Sequence, residues 1–333
     1  MTVNDHSDLE PIEPRTAQQL YLDHKASLCT DKTVRSHEYR LDFFLAWCAD
    51  NGIDNMNDLS GRNLHEYRLW RKEDGGLNKI TMQTNMSTLR VFLKWCGSIE
   101  AVETNLYDKV LVPQVRGQEG QRDIMLEAER AEEILQHLSK YRYASREHVL
   151  FALLWETGMR IGAVRSLDVR DVNLKDRCLD IAHRPETGTT LKNAQGGERL
   201  VAISADLVEL LRDYMENTRT EKTDEYDRSP LLSGRQGRIS RSTIRRRVYK
   251  HTAPCYLNEP CPDCEGDSEA KCPEAVNPHA IRRGSITHFL TCDVPVEIVG
   301  DRMDVSRKVL DKHYDRRSEQ VKVEQRRRYL DNI

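Results

Sequence analysis

The chain has 333 residues, 38% of them hydrophobic and 32% charged, a length and balance that suit two domains, each with its own core. It contains no run of eighteen apolar residues, and its acidic start, MTVNDHSDLEPIE, lacks the apolar stretch of a secretion signal. The expectation is a cytoplasmic protein with no membrane partner. A formal net charge of −3 speaks against a nucleic-acid binder only if charge is read as a total, because the location of the cations matters more than their sum.

In chain order, residues 1–13 read as a disordered acidic tail. Residues 14–111 read as a helical domain of four or five short helices. In TVRSHEYRLDFFLAWCADNG the apolar residues Val34, Leu41, Phe44, Leu45 and Cys48 share one face, and Gly52 supplies a stop. Residues 112–124 lose that periodicity and gain Pro, Gly and Gln, which marks a linker. Residues 125–333 form the second domain. It opens with helical patterns at 127–141 and 145–158, followed by RCLDIAH and RLVAIS. These two stretches alternate apolar and polar residues around the Gly-rich PETGTTLKNAQGG, the pattern of a β-hairpin with a long loop. Helical patterns return at 205–219, 240–251, 278–291, 295–302, 306–313 and 318–330. The predicted fold class is mainly α with a small β-sheet.

Residues 235–250, RQGRISRSTIRRRVYK, hold seven cations and no acid. A solvated helix face normally mixes signs, so this run is expected to meet a polyanion, with Arg238, Arg241, Arg245 and Arg246 as the candidate contacts. Arginine outnumbers lysine 36 to 15, a bias that suits bidentate phosphate binding.

Three further stretches pair basic residues with features of a buried site. In TGMRIGAVRSL, Arg160 stands at a helix boundary beside Ile161, Val164 and Leu167, and taken alone this position suits an arginine that lays its stem along the core. In NPHAIRRGSITHFL, Pro278 suits a first helical turn, and His279 and Arg282, three apart, share one face where a phosphate would also meet free backbone N–H groups. In VLDKHYDRR, Tyr314 is a poor nucleophile unless its neighbours stabilise the phenolate or its product.

The order R…HxxR…Y is more specific than its parts, and with it the chain resembles the tyrosine recombinases of the phage-integrase family. The matching residues are Arg160, His279, Arg282 and Tyr314. The resemblance covers roughly 125–330 strongly and 15–110 more loosely, as the family's helical core-binding (SAM-like) domain. The inserted Cys-rich stretch at 252–275 and the DRM segment before the tyrosine are similar to forms from haloarchaea and their viruses. The resemblance implies a catalytic domain of the DNA breaking-rejoining fold and a C-shaped clamp on double-stranded DNA, assembled as a homotetramer on two sites. It also implies chemistry that needs no cofactor. Tyr314 would attack a phosphodiester to leave a 3′-phosphotyrosyl link, Arg160 and Arg282 would hold the non-bridging oxygens, and His279 would move a proton at the tyrosine. The family's general acid is a lysine on a β-hairpin, and Lys192 is the only lysine in the predicted loop; it could equally be a solvated loop residue. Two positions depart from the family pattern. Ala163 stands where an acid is usual and Val305 where His or Trp is usual.

Nine cysteines without a secretion signal suit a reducing compartment. Cys255, Cys261, Cys264 and Cys272, spaced C-x5-C-x2-C-x7-C, fit a structural Zn²⁺ or remain thiols. Cys29, Cys48, Cys96, Cys178 and Cys292 lie in apolar or strand patterns and are expected in the core. The expected function is site-specific DNA strand exchange of the integrase or excisionase kind. Two alternatives are a type IB topoisomerase-like activity and an accessory DNA-binding protein impaired in catalysis.

Overall fold

The computed structural model describes residues 9–115, 124–257, 272–315 and 317–330. The first eight residues of the predicted tail, most of the predicted linker, and Cys261 and Cys264 with the middle of the cysteine-rich stretch lie outside the described residues. The chain divides into two compact units, Met1–Arg122 and Asp123–Ile333.

The first unit is built on α1 (Pro14–Ala26), α2 (Asp31–Asp50), α3 (Gly61–Gly75) and α4 (Lys79–Ser98). Polar caps fix two of the starts. Ser60 and Asn63 form a reciprocal capping box at α3, and the Asn78 side chain accepts from the Thr81 N–H at α4. The apolar faces meet around aromatic rings, with Phe44 edge-on to Tyr67 and Tyr21 edge-on to Phe92, each pair at 5.2 Å between centroids. Such pairs add roughly 0.5–1.5 kcal/mol beyond the area they bury.

The second unit begins with α5 (Ala128–Arg142), α6 (Arg146–Thr157) and the short α7 (Ile161–Ser166). An antiparallel sheet follows, made of β1 (Val172–Asn173), β2 (Cys178–Ile181) and β3 (Arg199–Ala202), in which Leu179 is opposite Val201. Leu179, Ile181 and Val201 are buried in the core, so the alternation read in RCLDIAH and RLVAIS places one face inward. Next come α8 (Ala205–Asp213), the two-residue strands β4 (Ser233–Gly234) and β5 (Gly237–Arg238), and α9 (Arg241–Thr252). The chain closes with α10 (Pro278–Thr291), α11 (Val296–Met303), α12 (Arg307–His313) and α13 (Glu319–Leu330).

The fold is mainly helical with small sheets. Two details were not legible from periodicity. Strands β1, β4 and β5 are two residues long, too short to show alternation, and the helix read to 219 leaves α geometry at Asp213 for a wider π turn over Tyr214–Thr218.

Helix α10 is the structural centre of the second unit. The segment leading into α5 crosses it so closely that a Cβ on Gly284 would stand 1.9 Å from the Leu126 carbonyl oxygen, while the Leu126 N–H donates to the Ala280 carbonyl. Glycine at 284 is therefore a requirement of contact, and it fixes the helix that carries His279 and Arg282.

Candidate active site

Arg160 owes its position to the turn that ends α6. Gly158 closes that helix in the left-handed region, with φ 57°, a conformation that favours glycine. A side chain there would also collide with Met303, whose Sδ would lie 2.5 Å from the added Cβ. The chain then enters α7 with Arg160 as its extended N-cap residue. The side chain is about one-quarter exposed, and its Nη1 donates to Asp304 Oδ2 at 2.5 Å.

His279 sits in the first turn of α10 and Arg282 at the start of the second. The Asn277 side chain caps this helix by accepting from the His279 and Ala280 N–H groups, and Pro278 occupies the first position, where it costs no hydrogen bond. Arg282 is only 1% exposed. Its Nη1 donates to the Gly158 carbonyl at 2.6 Å and its Nη2 to the Asp304 carbonyl at 3.3 Å, while Nε is buried with no partner among the described residues. Both acceptors are carbonyls, which satisfy N–H groups without neutralising the charge. Burial and the neighbouring Arg160 push the Arg282 guanidinium down to about 10.

Tyr314 follows α12 directly. Its N–H donates to the Leu310 carbonyl and its own carbonyl accepts from Thr287 Oγ1 at 2.8 Å, so both flanks of the residue are tied, one of them to α10. The ring packs with Ile286, Leu290, Val299, Met303, Val305 and Leu310. Its centroid lies 5.4 Å from the Arg282 guanidinium carbon, and its hydroxyl lies 3.3 Å from His279 Nε2. The structure thus brings together three residues predicted from the sequence, Tyr314, His279 and Arg282, and Asp304 joins the fourth, Arg160, to them. Val305 belongs to the same apolar cluster, 7% exposed, and supplies no polar atom from its side chain.

Lys192 lies exposed on the β2–β3 loop. It is within electrostatic reach of His279, and the next residue, Asn193, donates from Nδ2 to Asp304 Oδ1 at 2.6 Å. Asp304 and Asn193 were missed in the sequence. An acid 144 positions from Arg160 carries no local spacing signal, and only the fold pairs them.

The basic run divides into two. Arg245 and Arg246 are exposed on α9, and Arg241 lies against α7, its Nη2 3.3 Å from where a Cβ on Gly162 would stand. Arg238 turns inward with its side chain 3% exposed. It donates to Asp224, Asp168 and the Arg165 and Leu167 carbonyls, which leaves it unable to serve as the expected polyanion contact. The physical reason is its place before α9, in β5 and opposite Ser233. Charge patterning alone does not reveal that burial.

Among the described residues, no group of three or more His, Cys, Asp or Glu is arranged to hold a metal. Of the cysteines expected in the core, Cys48 and Cys96 are buried, Cys29 and Cys178 are partly exposed, and Cys292 is exposed at the end of α10.

The site's electrostatics favour an anion. Burial lowers the His279 imidazole to about 4, and the charges of Arg282, Arg283, Arg160 and Lys192 push in the same direction. The imidazole is therefore neutral at pH 7. An NMR titration of the free protein is expected to give His279 a midpoint near 4. A bound phosphate, whose negative charge favours the imidazolium, should raise that midpoint. A free-protein midpoint at or above the ordinary histidine value contradicts this account of the site.

Comparison with known proteins gives this geometry its context. The N-terminal SAM-like domain of phage integrases matches residues 19–97, and the phage integrase family matches residues 125–320. A tyrosine recombinase of Pseudothermotoga lettingae is 24% identical over 84% of this chain and 85% of its own length. A probable integrase/recombinase protein of Methanocaldococcus jannaschii is 23% identical over 81% and 76%. Among solved structures, the Tn1549 transposon integrase in complex with a circular intermediate DNA aligns with a TM-score of 0.69 at 14% identity, covering 95% of this chain and 99% of that one. A lambda integrase dimer bound to a core site aligns at 0.67 and 13% identity, over 93% and 79%. With the family match spanning more than half its length, this chain belongs to the phage integrase family and is a tyrosine-type site-specific recombinase.

Proposed function

We propose that the chain cleaves and rejoins double-stranded DNA at specific sites through a covalent 3′-phosphotyrosyl intermediate, in exchanges of the integrase or excisionase type. The observation that carries this reading is the meeting of the Tyr314 hydroxyl with His279 Nε2 at 3.3 Å beside the buried guanidinium of Arg282. In the proposed step the Tyr314 oxygen attacks phosphorus and the bond from phosphorus to the 5′-oxygen breaks. The phenolic proton passes to the neutral His279, and the departing 5′-oxygen takes a proton from Lys192. Arg160 and Arg282 donate to the non-bridging oxygens. The buried Nε of Arg282 is a donor that such an oxygen would satisfy. Rejoining runs the same bonds in reverse, so the phosphate bond energy is kept and no cofactor enters. DNA as the partner is supported by the DNA-bound integrases with which the fold aligns, and assembly as four protomers on two sites is part of the same proposal.

Tyr314→Phe keeps the packed ring and removes only the attacking oxygen. It is expected to bind DNA like the unaltered protein and to form no covalent adduct on a nicked suicide substrate. A persistent adduct would mean that another residue is the nucleophile.

The exposed cations of α9, with Arg241 beside α7, are proposed to follow the phosphate backbone. Replacing Arg241 and Arg245 by alanine should weaken binding to all sequences alike. It should also flatten the dependence of log K on log salt by roughly one unit for each phosphate that is no longer neutralised. An unchanged slope places that face away from DNA.

Cys255, Cys261, Cys264 and Cys272 are the proposed ligands of one structural Zn²⁺ per chain, a reading that rests on their spacing and on thiolate chemistry alone. Metal analysis of active protein purified without chelator is expected to find zinc, and zinc-free active protein rules the site out.

A further inference from the structure

Asp304 follows α11, far in sequence from Arg160 and the β2–β3 loop, and touches three parts of the site. Its Oδ2 accepts from Arg160 Nη1 at 2.5 Å, its Oδ1 from Asn193 Nδ2 at 2.6 Å, and its backbone carbonyl from Arg282 Nη2 at 3.3 Å. Position 163, three residues after Arg160, is a buried alanine and offers Arg160 no carboxylate. Asp304 also holds a left-handed backbone, with φ 53° and ψ 61°. Glycine adopts that conformation without strain, and among L-residues Asp and Asn enter it most readily. Its side chain joins two segments far from it in sequence, which points to a role beyond ending the helix.

We propose that Asp304 is a positioning residue for the strand-cleavage reaction, using its two carboxylate oxygens to hold the Arg160 guanidinium and the Lys192 loop in register with each other. The inference rests on the assignment of Arg160 and Lys192 to phosphate binding and proton donation made above. One oxygen holds Nη1 of Arg160 and leaves Nε and Nη2 for an incoming phosphate. The other holds Asn193, the residue beside Lys192, so the general acid is delivered from a loop whose tip is fixed to the same carboxylate as the arginine. Displacement of a reacting group by about 1 Å costs on the order of 10²-fold in rate, and a free loop tip would move by more. Because Asp304 is negative and close to where the phosphate would sit, its removal should help DNA binding while harming cleavage. A purely structural role would harm both.

The test uses Asp304→Gly in the full-length chain, because glycine relieves the left-handed strain and removes the carboxylate. Two quantities are read on the same DNA: affinity, and the single-turnover rate of adduct formation on a suicide substrate. Hydrogen exchange of residues 190–197 is read on the free protein. The expected result is a cleavage rate at least about tenfold lower, affinity equal or tighter, and faster exchange across the loop. A cleavage rate within threefold of the unaltered protein overturns the proposal, as does a parallel loss of affinity and rate. If the glycine variant does not fold, Asp304→Asn, which keeps the shape and loses the charge, takes its place under the same criteria. If the unaltered protein forms no adduct, the assignment of the reacting residues fails; unaltered exchange over 190–197 separately overturns the tether.

Discussion

The guanidinium of Arg282 is the group on which the arrangement of the site depends. Taking a cation out of water costs several kcal/mol even after relaxation, and this one is 1% exposed. Its two terminal nitrogens donate to the Gly158 and Asp304 carbonyls, which bind the α6–α7 turn and the end of α11 to α10. The Tyr314 ring lies alongside the same group. Carbonyls accept hydrogen bonds without cancelling charge; the Asp304 carboxylate faces Arg160 and Arg282, while Arg282, Arg283, Arg160 and Lys192 together push the His279 imidazole down. The interaction that closes the fold here also leaves an attraction for an anion.

A second, largely buried ion network holds the hairpin loop at its base. Asp168, 1% exposed, accepts from Arg228 Nε at 2.8 Å and from Arg238 Nη2 at 2.5 Å. Arg184 forks onto both oxygens of Asp171, and Arg228 Nη1 reaches the hydroxyls of Thr187 and Thr189. These bonds pair charges that burial would otherwise penalise. They also pin residues 184–189, the stretch leading to Lys192. A long loop that would otherwise wander is thus held at its base by Arg184 and Arg228 and, further on, by Asn193.

How much of this was legible in the sequence follows from the range of each interaction. The helices and the hairpin declare themselves through periods of 3.6 and 2, and in the second unit the structure places them within a residue or two of the pattern, apart from the short α7, the π turn after α8 and the two-residue strands. Arg160, His279, Arg282 and Tyr314 were singled out through the order of a motif, since no local property distinguishes one tyrosine from another in sequence. Asp304 escaped because its significance lies in its bonds to Arg160 and Asn193, which stand 144 and 111 positions away in the chain. Arg238 was misread for the converse reason: its neighbours in sequence are cations, while its neighbours in space are Asp168 and Asp224. Cys292, expected inside from its apolar surroundings, sits where α10 ends and the chain turns outward.

The central claim is that the tyrosine held between His279 and Arg282 becomes covalently joined to DNA. The most direct measurement is mass spectrometry of the unaltered protein after trapping on a suicide substrate, nuclease treatment and proteolysis. The account predicts a nucleotide attached through its 3′-phosphate to the peptide that carries Tyr314, with fragment ions assigning it to the tyrosine oxygen. A nucleotide on any other residue, or DNA cleavage with no protein-bound nucleotide, would contradict it.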